Sequence, residues 1–274
     1  MALRRKTIIA LILPVLLLVV LSVLALRIPR LRTALRIADG FEPLDGHGLV
    51  YYEKGAEEYA RRIAEALPDA IKHVETMQVR PFRSLPRIYV CATHERFAEQ
   101  IGESPETAVR GIAFKRDIWL SPTVFTFFGR DTHTQSLLHE LSHTHISQHL
   151  SFIHRVRKIP TWFNEGLADW VSGTGAERIS RDEAVAAIRA GRSLVPDDTG
   201  QFPVPKSPAD YGLSWPMLHV QSLMFVEYLA ERDRGRFNAF MEELLDGRDF
   251  GPAFNEQFGA APAVLWKEYT GSLE

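Results

Sequence analysis

Two short segments place metal-binding side chains at helical spacing, and they constrain the fold more than any other part of the chain. The first reads His-Glu-Leu-Ser-His from His139 to His143, and the second reads Trp-Phe-Asn-Glu-Gly-Leu-Ala-Asp from Trp162 to Asp169. Residues four apart lie on one face of an α-helix, so each segment would present two such groups to the same side. A fold that uses both segments must pack two helices against each other.

The residues around the first segment are typical of a helix. Residues 134–150 contain neither proline nor glycine, and their apolar stripe consists of Leu137, Leu138, Leu141 and Ile146. His139 and His143 could therefore direct two imidazoles at one ion. Glu140 lies beside them, where it could take a proton from a water molecule, so the segment combines two ligands with a general base.

The second segment supplies the third ligand of the predicted site. Catalytic zinc usually has three protein ligands, and Glu165 is our candidate for the third. Asp169, four residues later, could accept the outer N–H of a ligand histidine. Gly166 would let the two helices approach closely. The segment is too apolar for a surface turn, and buried carboxylates need a partner, so we predict one Zn²⁺ ion held by His139, His143 and Glu165.

Together the two segments resemble the signature of the gluzincin metallopeptidases, the thermolysin-like group. That signature is H-E-x-x-H followed about twenty residues later by Asn-Glu-x-x-x-Asp, which here matches Asn164, Glu165 and Asp169. The closer resemblance is to small bacterial peptidase MA-like domains, which carry Trp-x-x-Glu-Gly-x-Ala, and it covers roughly residues 85–245. Twenty-one residues separate His143 from Glu165, slightly more than in thermolysin-like enzymes. We expect a loop at the basic stretch 154–158 to absorb the excess.

The resemblance implies further roles for residues outside the ligand set. Asn164 and Asp169 would support the ligands. Gluzincins take a second oxyanion donor, a Tyr or His, from the later helical part of the chain; Tyr211 is our first candidate and His219 the second.

The resemblance also implies that an edge strand before the first zinc helix pairs with an extended substrate. The segment Ile118–Leu120 occupies the corresponding place in this sequence, with Trp119 and Leu120 as predicted substrate-binding residues. An alternative of equal weight is that this hairpin only packs the core.

The amino terminus has the pattern of a membrane anchor. Three cations precede an uncharged run of twenty residues, Thr7 to Leu26, which is about the length that spans a bilayer as a helix. Cleavage as a signal peptide at Val23–Ala25 stays open. Three cations before the run and four after it nearly balance under the positive-inside rule. An exported domain, in the bacterial periplasm or outside the cell, follows from the resemblance, and a cleaved segment would make the protein secreted.

The charge of the remaining chain argues against nucleic-acid binding. Residues 39–274 hold all 34 acidic residues but only 25 of the 32 basic ones, a formal net charge of −9. A domain of this sign is not expected to bind a polyanion. The expected partners are a protein or peptide substrate and, through the amino-terminal segment, the lipid bilayer.

The order of predicted elements indicates an α+β fold. After the anchor and basic flank, residues 1–38, and a linker reaching residue 46, we predict one domain over 39–274. Its parts would be a small mixed-sheet lobe at about 47–130, zinc helices at 132–172 and a mostly helical lobe at 180–274, with the cleft between the lobes. Strands are predicted at 49–52, 87–92, 111–114 and 117–120, and Pro68 could break a helix over 56–77.

Two classes of function fit these features. The first is a membrane-tethered zinc endopeptidase or aminopeptidase. The second is a non-catalytic, zinc-stabilised domain that binds protein partners. Glu140 favours the first, because a structural zinc site needs no base and normally closes its fourth position with another protein ligand.

Overall fold

The computed structural model describes residues 40–126, 129–175, 178–202 and 204–273. The predicted anchor, Thr7 to Leu26, and its basic flank lie outside the described residues. Within the described part of the chain, no helix has both the length and the apolar character needed to cross a membrane.

A five-stranded mixed sheet occupies the first half of the described chain. Its strands are β1 (Phe41–Leu44), β2 (His47–Glu53), β3 (Arg87–Val90), β4 (Gly111–Phe114) and β5 (Asp117–Leu120). The spatial order is β1-β2-β3-β5-β4. The two inner pairings are parallel and the two outer ones antiparallel. β1 and β4 are therefore the edges of the sheet.

Ten α-helices accompany the sheet in the described residues. They are α1 (Glu57–Met77), α2 (His94–Ile101), α3 (His133–His149), α4 (Phe152–Lys158), α5 (Thr161–Ser172), α6 (Arg181–Arg189), α7 (Trp215–Arg232), α8 (Arg234–Leu245), α9 (Phe250–Phe258) and α10 (Pro262–Gly271). Short 3₁₀ turns cover Pro122–Phe125 and Pro208–Tyr211. Strands precede most of the helices along the chain, so the α+β prediction is confirmed at the level of fold class.

An aromatic core fixes the position of α5. Trp162 and Phe163 at its start are fully buried. Trp162 contacts Phe225 of α7 with ring centroids 5.1 Å apart, and Phe163 contacts Phe250 of α9 at the same distance. Aromatic pairs at such distances stabilise beyond their buried area. The helix that carries Glu165 is thus held by the helical half of the protein.

Three local expectations are corrected by the structure. Helix α1 continues through Pro68, which lies on its exposed face. Strand β1 lies inside the predicted linker and pairs with β2 through a tight turn in which Gly46 has φ 74°. The basic stretch predicted as a loop is helix α4, because residues 152–158 lack helix breakers and Ser151 caps their first turn by accepting a hydrogen bond from the His154 N–H.

Candidate metal centre

Helices α3 and α5 bring the three predicted ligands to one point. The Nε2 atoms of His139 and His143 are 3.1 Å apart. Oε2 of Glu165 lies 3.7 Å from the first and 3.5 Å from the second. Ligand atoms about 2.0–2.1 Å from a tetrahedral zinc ion would be about 3.3 Å from one another. The spacing and the donor atoms fit, and this group could hold a metal ion.

The ligand side chains are mostly buried but partly accessible. Their side chains are 17%, 13% and 18% exposed for His139, His143 and Glu165 respectively. Asn164, matched by the sequence signature, donates from Nδ2 to Oε1 of Glu165 at 3.1 Å and leaves Oε2 facing the histidines. The centre is therefore mostly buried but keeps some contact with solvent.

Asp169 contacts two histidines at once. Its Oδ1 is 3.1 Å from Nδ1 of His139, and its Oδ2 is 2.6 Å from Nδ1 of His219 on α7. These contacts place Nδ1–H toward the carboxylate and turn Nε2 of each ring toward the centre. A Cβ atom at Gly175 would lie 2.9 Å from Oδ2 of Asp169, so the loop after α5 needs glycine there.

The electrostatics of the centre favour a bound cation. Burial opposes the charged form of His139, but Asp169 and Glu165 outweigh it and raise the histidine pKa well above its ordinary value. Burial likewise opposes ionisation of Glu165, yet the charge of His143 and the side-chain interactions with His139 and His143 lower its pKa well below the usual range. The pKa of Asp169 is lowered by the same balance, with His219 the largest favourable contribution. The two carboxylates stay ionised at neutral pH and suit a divalent cation.

Glu140 is buried between α3 and strand β4. A Cβ atom at Gly111 would lie 2.7 Å from Oε1 of Glu140, so only glycine at position 111 leaves room for this carboxylate. Burial raises the pKa of Glu140, while the charges of His139 and His143 act in the opposite direction. A carboxylate with a raised pKa is better matched to proton transfer near neutral pH.

The structure brings the second candidate for the oxyanion donor to the centre rather than the first. The Tyr211 hydroxyl donates to Oδ1 of Asp197 at 3.0 Å, and no described contact joins it to the ligands. Burial and the negative charge of Asp197 raise the pKa of the Tyr211 hydroxyl above its ordinary value. His219 instead holds its Nε2 4.0 Å from Oε2 of Glu165. Tyr211 precedes α7. His219 lies within α7, on the face that meets α5.

Trp119 and Leu120 are not at a sheet edge. Both lie on β5, which is paired with β3 on one side and β4 on the other. Their side chains are 2% and 0% exposed, and Trp119 stacks on Tyr89. The hairpin was predicted with its strands in the right places, but its first strand rather than its second is the edge. The residue that sequence reasoning missed is Gly111, a glycine at the start of that edge strand.

Gly166 allows a close helix contact, with a different partner from the one expected. A Cβ atom there would lie 2.6 Å from the carbonyl oxygen of Ser222 on α7. Ser222 is three residues after His219 on the same helix. The contact therefore brings His219 toward Glu165, the neighbour of Gly166.

No protein-family model matches the chain, and no curated protein matches its sequence.

Proposed function

We propose that this chain is a zinc-dependent metallopeptidase of the gluzincin type. The observation that supports it is the convergence of two histidines and a glutamate with a buried glutamate, Glu140, close to them. Zinc held by His139, His143 and Glu165 would act as a Lewis acid on a peptide carbonyl and would make water a better nucleophile at neutral pH.

The protein groups then have separate roles. The carboxylate of Glu140 takes a proton from the attacking water and delivers it to the leaving amine nitrogen. Burial opposes a charged His219, but Asp169 outweighs it and raises the His219 pKa, which favours N–H groups on both ring nitrogens. Nδ1–H donates to Asp169, and Nε2–H is free to stabilise the oxygen on which negative charge develops.

The edge strand β4 offers a place for the substrate main chain. Its outer side has no strand partner in the described structure, and it begins at Gly111 beside Glu140. An extended peptide can add to such an edge through main-chain hydrogen bonds. In this proposal β4 takes the role that the sequence assigned to Trp119 and Leu120.

The amino-terminal segment completes the proposal. The apolar run Thr7 to Leu26 would anchor the protein in a membrane by a single span, with the catalytic domain exported, so that its substrates are proteins or peptides outside the cytoplasm.

The test compares the full-length chain, purified in a nonionic detergent, with Glu140→Gln. The wild type should bind one zinc ion per chain and cleave an unfolded protein. The variant should keep the zinc, since Glu140 is not a ligand, and lose about 10²–10⁴-fold in cleavage rate. Metal analysis and fragment mass spectrometry provide the readouts, and Glu58→Gln, an exposed glutamate on α1, is the matched control. Stoichiometric zinc without any cleavage by the wild type would favour the non-catalytic, protein-binding alternative.

A further inference from the structure

A cavity of about 350 Å³ lies at the carboxyl end of β4 and is lined by cations. Arg83, Lys115, Arg116 and Arg155 line it, and none of its described lining residues is acidic. Phe114, Leu150 and Phe152 supply apolar surface. Since residues 39–274 carry 34 acidic but only 25 basic residues, such a concentration of positive charge is contrary to the overall balance.

The cations of this cavity have no carboxylate partners. Within the described chain, none of the four forms an ion pair within 4.0 Å. Several arginines elsewhere in the fold are paired, as Arg87 is with Asp117 at 2.6 Å. Arg155 contacts the ring of Phe152, with its guanidinium 5.9 Å from the ring centroid. Their positive charge is therefore available to a ligand.

Two residues that line the cavity carry buried donors without acceptors. Nε of Arg116 and Nε2 of Gln148 are shielded from solvent and have no hydrogen-bond partner among the described residues. The Gln148 amide is held in place because its Oε1 accepts the Ser84 backbone N–H at 2.9 Å. Buried donors without acceptors are costly to a fold. Turning either side chain toward a carboxylate bound in the cavity would satisfy its donor.

The cavity adjoins the candidate metal centre. Burial lowers the pKa of Arg155, and the charge that opposes this is that of Glu165, the third ligand. Strand β4 connects the two places, since Gly111 lies beside Glu140 and Phe114 lines the cavity. Three residues of extended chain span about 10 Å.

The neighbouring helix end does not reverse the positive charge of the cavity. The carboxyl terminus of α3 contributes about half a negative charge. Four cationic side chains exceed this several-fold. The net field therefore attracts anions.

We propose that this cavity is a specificity subsite that binds an acidic side chain of a peptide lying along β4, about three residues from the bond that is cleaved. The distance to the cleaved bond rests on the proposed function, whereas the binding of an acidic peptide does not. A peptide fits better than an anionic lipid surface because the site is a cavity that continues the edge strand, whose last residue, Phe114, lines it.

Peptide binding to the full-length Glu140→Gln chain tests the proposal without turnover. Fluorescent extended peptides would differ only in carrying Glu, Gln or Lys at one position, scanned along the peptide. At the favoured position, the Glu peptide should bind at least about tenfold more tightly than the Gln peptide, a difference of one decade in Kd. Raising the salt from about 0.05 M to about 0.3 M should reduce the preference, because the screening length shortens.

Two substitutions locate the effect. Arg116→Gln and Lys115→Asn should each reduce the preference for Glu by at least about threefold, since each removes one of the charges. Lys115 has φ 57°, a conformation that asparagine tolerates, so Lys115→Asn removes charge without straining the turn. Arg61→Gln, which neutralises an exposed arginine paired with Glu57 on α1, is the control and should keep the full preference.

Several results would overturn the subsite. They are equal binding of Glu and Gln peptides, a preference unchanged by both cavity substitutions, and binding to phosphatidylglycerol vesicles that these substitutions weaken while peptides are not discriminated. If acidic peptides are selected but the wild type cleaves none of them, the subsite stands and the peptidase proposal fails. If the wild type cleaves peptides regardless of their charge, the peptidase proposal stands and the subsite fails.

Discussion

Asp169 is the residue through which the two sides of the candidate centre are joined. One carboxylate oxygen orients His139, a ligand, and the other orients His219, which is on a different helix. The carboxylate is buried and also accepts a hydrogen bond from the Thr174 hydroxyl, so three contacts fix its position. A shift of α5 relative to α3 and α7 would therefore change the contacts of both imidazoles.

The choice between His219 and Tyr211 is a prediction at the residue scale. His219→Gln should lower kcat by about 10²–10³-fold, the usual effect of losing one oxyanion donor, because its Nε2 faces the centre. The zinc content should stay near one per chain. Tyr211→Phe should change kcat only a few-fold, as its hydroxyl is engaged with Asp197.

Steady-state kinetics on an unfolded substrate, with metal analysis of each variant, measures both effects. A large loss of kcat in Tyr211→Phe together with normal turnover in His219→Gln would reverse the assignment.

Residue-scale prediction from sequence succeeded where spacing along one helix decides geometry. His139 and His143 share a face because they are four apart, and Glu165 and Asp169 do so for the same reason. The choice between Tyr211 and His219 depends on the rotation of α7 against α5, where Gly166 comes close to Ser222. Nothing in the local sequence specifies that rotation.

Among the elements, α5 connects the parts of the site. It carries Glu165 and Asp169, packs against α3 on one side and α7 on the other, and is anchored by Trp162 and Phe163. The absence of a side chain at Gly166 sets the distance to α7. Because interiors are close-packed, even one added methyl group there must displace a neighbour.

Gly166→Ala should therefore destabilise the protein by about 1–3 kcal/mol through overpacking against the Ser222 backbone. It should also lower activity, since His219 would be moved away from Glu165. Gly271→Ala on α10 is the matched control: it adds the same methyl group to a helix with nothing within 4 Å. Denaturant unfolding of both variants provides the comparison. Equal stability of the two variants would contradict a tight α5–α7 contact.

The sheet shows why element-level prediction from sequence was only partly successful. The strand positions of the β4–β5 hairpin follow from two short apolar segments on either side of the polar turn Lys115-Arg116, but which strand is the edge depends on pairing with β3, distant in sequence. β1 was missed because its short segment, with Pro43 and a following glycine, is typical of a linker. Apart from α4, which was predicted as a loop, the helices were easier to predict, since their signals are local.

At the scale of the whole molecule, the candidate metal centre joins two parts with different architecture. Helix α3 packs against the sheet and α1, whereas α5 is embedded in the helical half. His139 and His143 come from the first part and Glu165 from the second. A bound ion would therefore cross-link the two halves of the fold in addition to serving chemistry.

The last prediction follows from this linkage. An ion that binds the folded chain but not the unfolded chain stabilises it by about 4 kcal/mol at a free concentration near 1,000 times its Kd. For a domain of this size that corresponds to a rise in Tm of about 8–16 °C. Thermal unfolding of the full-length chain should therefore shift upward with added zinc and downward with a chelator. Glu140→Gln should keep the whole shift, because it removes only the base, while Glu165→Ala should lose most of it and bind less zinc. A Tm independent of zinc in the wild type would show that the ion does not bridge the halves, and an undiminished shift in Glu165→Ala would remove that residue from the ligand set.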